Sequence, residues 1–90
     1  MEMTTRKTLT RSRFFRRVGV RDEEGRVVRH APAILTEDQW GDWKGVLHHE
    51  LVGLLGKEMV ISTPDGQSRC LVEDTAHGQT LLIGRGPAPF

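Results

Sequence analysis

Residues 36–55 constrain this chain most, because a helix-start signal and a long apolar repeat coincide there. The Thr36 hydroxyl can accept from orphan amides of a first turn, and Gln39, three residues on, completes a reciprocal capping box. Leu35 before the cap and Trp40 at the fourth helical position form a hydrophobic staple. Glu37 and Asp38 add negative charge where a helix dipole favours it. Trp40, Trp43, Leu47, Leu51 and Leu54 then recur at helical spacing, and Gly56 closes the run. The pattern predicts a helix over residues 36–55 that faces the core through this stripe. Gly41, Gly45 and Gly53 fall on its far side, each costing about 1 kcal/mol relative to alanine in a helix interior. Gly41 and Gly45, one turn apart, offer a smooth track for packing against another backbone. The ordinary alternative is that they are tolerated glycines on a solvated face.

Around this segment the chain reads as strands. Residues 14–31 predict a β-hairpin with Val18, Val20, Val27 and Val28 in its strands and a turn through Asp22-Glu23-Glu24-Gly25, where Gly25 supplies a positive φ. If Val20 pairs with Arg26, Val18 faces Val28 and Arg17 faces Arg29. Like charges directly opposite destabilise a sheet. That juxtaposition therefore implies a different register or a bound anion, the register being the simpler explanation. Pro32 is expected to stop the second strand. Residues 57–63, 68–74 and 79–83 predict a three-stranded meander, with turns at Pro64-Asp65-Gly66 and Ala76-His77-Gly78. The expected fold is thus α+β, in the order β-β-α-β-β-β: a mainly antiparallel sheet or partly closed small barrel packed on one helix. Residues 1–13 are expected to be a flexible basic arm, 14–85 a single domain, and 86–90 a Gly/Pro tail.

The run Leu55-Gly56-Lys57-Glu58-Met59-Val60-Ile61, then Pro64-Asp65-Gly66, Val72-Glu73-Asp74 and Gly78-Gln79-Thr80-Leu81-Leu82-Ile83, resembles the small SH3-like barrels. The barrels meant are those of Sm-like proteins and of the C-terminal domain of biotin protein ligases. The resemblance covers about a third of the chain and implies architecture alone, with no functional residue carried over. It departs from the pattern in two ways. The segment Ser68-Arg69-Cys70-Leu71 lacks the glycine at which such barrels bend. Nothing after Ile83 supplies further strands, so the N-terminal hairpin would have to close the barrel.

Charge is distributed unevenly. Residues 1–30 hold nine Lys and Arg against four carboxylates, whereas the rest holds four against eight, so segments of about +5 and −4 sum to a net charge of +1. No apolar run is long enough to span a membrane, and no basic-then-apolar leader is present, so a soluble cytoplasmic protein is expected. One cysteine, Cys70, excludes an internal disulfide. Ninety residues give a small core, for which a homodimer would be a natural support.

Catalytic patterns are missing their parts. His48-His49-Glu50 lacks the histidine that a zinc protease helix needs at position 53, which is Gly53, and adjacent histidines on a helix diverge by about 100°. Cys70 beside a histidine would make a nucleophilic dyad, but a lone cysteine in an apolar strand is ordinarily packing. Gly84-Arg85-Gly86 meets Pro87 and Pro89 rather than a helix start, which excludes a dinucleotide fingerprint. No cofactor, metal or enzymatic activity is expected. Binding remains. The basic arm and hairpin predict contacts to DNA or RNA phosphates through Arg11, Arg13, Arg16, Arg17 and Arg29, with Phe15 or Phe14 stacking on a base. The alternative is a protein-interaction module, such as a phage or accessory regulator, that docks on an acidic partner through the arm, the Gly41/Gly45 track or a strand edge.

Overall fold

The computed structural model describes residues 9–90, with side chains from residue 11 onward. Six strands follow one another: β1 (Leu9–Arg21), β2 (Val27–Asp38), β3 (Trp43–Leu47), β4 (Glu58–Thr63), β5 (Gly66–Ala76) and β6 (Gln79–Gly84). They close into an antiparallel barrel in the order β1-β2-β3-β6-β5-β4. The N-terminal hairpin supplies the strands that the meander lacks, and β1 seals the barrel on β4 through Gly19, Val20 and Arg21.

The predicted helix is not there; among the described residues the chain is all-β. Residues 36–38 finish β2, Gln39–Asp42 turn, and residues 43–47 form β3. The apolar positions of β3 obey a period of two, with Trp43, Gly45 and Leu47 buried and Lys44 exposed between them. Gly41, Gly53 and Gly56 sit at φ 85°, 81° and 79°, where they reverse the chain. Gly45 faces inward, where an added Cβ would come within 2.5 Å of the Leu35 Cδ2. Gly41 and Gly45 thus lie in a turn and in the barrel core, and form no shared track. Trp40 and Leu55 are exposed, while Leu51 is buried from a loop.

The hairpin turn forms as expected. The Gly25 amide donates to the Asp22 carbonyl (3.0 Å), and Gly25 takes a φ of 87°. Its register differs from the simple one: Val20 faces Arg29, Gly19 faces His30 and Val18 faces Ala31. Arg17 and Arg29 are therefore not opposed. Between Phe15↔Ala33 and Val18↔Ala31 β1 has one residue more than β2, so Arg16 and Arg17 form a β-bulge opposite Pro32. Pro32 does not end β2. It sits where regular pairing is already broken, and where β3 has ended its carbonyl accepts from the His48 amide (2.8 Å). In the meander Pro64 and Asp65 make a two-residue turn, with Thr63 facing Gly66. A register shift between Val72 and Asp74 bends β5 in place of a glycine.

The core consists of the inward positions of all six strands, including Val18, Val20, Leu35, Leu47, Ile61, Cys70, Val72 and Leu82, none more than 1% exposed. The segment following β6 closes one mouth. Trp43 Nε1 donates to the Gly86 carbonyl (3.0 Å), Thr63 Oγ1 to the Pro89 carbonyl (2.6 Å), and Phe90 meets Phe15 edge-on.

Candidate functional site

Pairing partners in a sheet share a face, so the register separates the basic residues by side. Arg13 faces buried Leu35 and Arg11 faces Glu37, so both lie on the barrel-interior side, at the mouth that the tail closes. Arg11 Nε donates to Glu37 Oε1 (2.8 Å) and its guanidinium covers the Phe90 ring at 4.4 Å. Arg13 pairs with Asp65 across the mouth and covers Phe15 at 4.7 Å. Phe15 itself is 5% exposed and stacks inside the protein, so it is unavailable to a base. Arg29, opposite buried Val20, also belongs to the inward register but is exposed. Only Arg16 and Arg17 of the expected set stand together on the outside, because the bulge turns both to solvent.

Beside them runs a feature that sequence reading missed. Phe14 faces Ile34, Ile34 faces Val46, and Val46 faces Leu81, all on the outer surface. Phe14 is 54% and Ile34 38% exposed, while Val46 and Leu81 are half-buried. The His48 ring reaches to 6.3 Å from that of Phe14. Arg16, Arg17, Pro32 and His48 flank this apolar row on one side, and Ser12, Thr36 and exposed Lys44 flank it on the other. Alternation within each strand held the signal, since Phe14, Ile34 and Val46 are the apolar residues out of phase with the core. Reading them together required the register across strands, and that depends on the bulge.

Along β1 the pairing is one-sided. β4 pairs with β1 at Gly19, Val20 and Arg21 and ends at Thr63, so among the described residues the stretch 9–17 has β2 on one side and no strand on the other. Among the described residues nothing pairs with the backbone groups that point away from β2 there, which makes them an open strand edge.

Other candidates carry less. A cleft of about 500 Å³ is lined by Thr36, Asp38, Asp42, Trp43, Lys44, Ile83 and Gly84. Its Asp38 carboxylate is already used by the β2–β3 turn, accepting from the amides of Trp40 (2.9 Å) and Asp42 (3.1 Å). Cys70 is fully buried, and desolvation, aided by Glu58, pushes its thiol up to about 12, the reverse of an activated nucleophile. Among the described residues no three His, Cys, Asp or Glu side chains gather as a metal set, and no helix is long and apolar enough to cross a membrane. No family model, no curated protein and no solved structure matches the chain.

Proposed function

We propose that this protein is a non-enzymatic interaction module whose outer β1–β2–β3 face takes a protein partner bearing apolar side chains flanked by carboxylates. The observation that carries this reading is the outer row Phe14–Ile34–Val46, exposed at Phe14 and Ile34 and bordered by Arg16, Arg17 and Lys44. Apolar side chains at the centre of a contact supply burial, and a charged rim supplies selection of partner. Three aliphatic or aromatic positions in line suit a protein surface better than a phosphate backbone. The dispersal of Arg11, Arg13 and Arg29 away from the face thins its field for nucleic acid. The small closed barrel is compatible with the SH3-like likeness, which contributes no binding residue to this reading.

A second reading keeps nucleic acid as the ligand, and the adjacency of Arg16 and Arg17 to exposed Phe14 is what favours it. The two separate in one experiment. The protein is titrated with single- and double-stranded DNA, with RNA, and with a panel of apolar–acidic peptides and their lysine counterparts, at about 50 mM salt, where phosphate contacts are strong. The proposed function predicts selective peptide binding that Phe14→Ser abolishes, with no nucleic-acid binding. Binding to every polyanion, with a logarithmic salt slope of about 0.7–0.9 per phosphate contact, would replace it with the second reading.

A further inference from the structure

We infer that the partner enters as an extended segment that adds a strand to the open edge of β1, residues 9–17. This rests on the proposed function and specifies the form of its ligand. An edge strand presents a row of unpaired amides and carbonyls, and an incoming extended chain satisfies them while placing alternate side chains on the two faces of the sheet. On the outer face those side chains would neighbour Ser12, Phe14 and the Arg16–Arg17 bulge. The matching sequence is therefore an apolar residue beside Phe14 and a carboxylate about two residues away, beside the arginines.

Charge decides between this occupant and a second copy of the chain. Two β1 edges paired antiparallel about a two-fold axis would bring Arg11, Arg13, Arg16 and Arg17 of one copy against the same residues of the other. Like charges set opposite one another oppose that pairing. Arginines and a bulge are also devices by which a strand edge resists self-association, and neither resists an acidic strand. Arg11 and Arg13 are already matched to Glu37 and Asp65 on the inner side, which leaves Arg16 and Arg17 to select the incoming segment.

The test uses the full chain and three synthetic seven-residue probes: Val-Thr-Glu-Thr-Val-Thr-Glu, in which valine and glutamate stand two apart on one face, its counterpart with lysine in place of glutamate, and the valine–glutamate peptide with alternate backbone amides N-methylated. Strand addition predicts binding of the first probe, protection of β1 amides in residues 10–17 from hydrogen exchange, and at least about tenfold weaker binding after N-methylation, because ladder hydrogen bonds are lost. Arg16→Gln with Arg17→Gln should weaken binding severalfold without altering the melting curve. Binding that is indifferent to N-methylation and leaves β1 amides unprotected would overturn strand addition while keeping the proposed face. Protection of the same amides that grows with protein concentration alone would assign the edge to a second copy, and overturn it too. If no peptide binds, both the inference and the proposed function fall.

Discussion

The indole of Trp43 lies so close over Gly84 that a methyl group on that α-carbon would stand 2.3 Å from Nε1. Residue 84 ends β6 beside β3, and its lack of a side chain lets the ring lie flat across the barrel mouth and reach the Gly86 carbonyl. Gly84→Ala must displace a ring that is 4% exposed and break that hydrogen bond. Overpacking of this kind costs about 1–3 kcal/mol. Chemical denaturation should show the loss, with a change in tryptophan emission before unfolding. An alanine variant that unfolds with the parent would mean that the ring has somewhere else to go.

Thr80 anchors the loop between β3 and β4. Its hydroxyl accepts from the Leu51 amide (2.9 Å) and donates to the His49 carbonyl (2.6 Å), and the side chain is fully buried. Thr80→Val keeps the shape but leaves two backbone groups without that partner, a loss of about 1–3 kcal/mol. Leu51→Ala, which empties the adjoining 3%-exposed site, should cost about 2–5 kcal/mol. Equilibrium melts of both variants test this. If Thr80→Val is neutral, the loop is held by Leu51 alone.

Cys70 makes the protein sensitive to alkali. Its folded thiol titrates near 12, against 9.0 for an ordinary cysteine, because burial disfavours the thiolate and Glu58 adds to the effect. A folded value raised above the unfolded one gives stability that is complete below pH 9 and lost as pH rises towards 12, since only the unfolded chain releases the proton in that window. Cys70→Ala should flatten this part of the stability–pH curve. Thiol reagents should label the parent only as fast as it unfolds; rapid labelling of folded protein at pH 8 would contradict the burial.

Much of the meander was legible because its turns carry their own chemistry. His77 and Gly78 both take positive φ, and Pro64-Asp65 reverses the chain within two residues. The helix was misread because Trp43 and Leu47, inward on a strand, are also four apart. Leu51 from a loop and Trp40 from a turn extended the coincidence. The contrary signal was present in Gly41, Gly45 and Gly53, three glycines whose combined penalty of about 3 kcal/mol in a helix interior weighed against that element. Two of them turn the chain, and the third makes room for Leu35. The outer row was hidden for a different reason. Local pattern does not reveal that Phe14 and Val46 share a surface, since a single extra residue at Arg16–Arg17 sets the phase of everything before it.

The division of the arginines gives the last prediction. Arg11 and Arg13 each join an ion pair to a ring contact: Arg11 links Glu37 to Phe90 of the tail, and Arg13 links Asp65 of the β4–β5 turn to Phe15. Both guanidinium groups are about half exposed, and exposed pairs of this kind contribute about 0–1 kcal/mol, screened by salt. A cation over an aromatic face adds about 0.5–1 kcal/mol. Arg11→Gln and Arg13→Gln should therefore each lower stability by about 1 kcal/mol, with the difference from the parent narrowing at high salt. Arg16→Gln and Arg17→Gln, on an exposed bulge without an ion pair among the described residues, should change stability by less than about 0.5 kcal/mol. Thermal melts of the four variants at low and high salt measure this directly. If Arg16→Gln or Arg17→Gln destabilises the barrel as much as Arg13→Gln, the bulge arginines are structural and are not available to a partner.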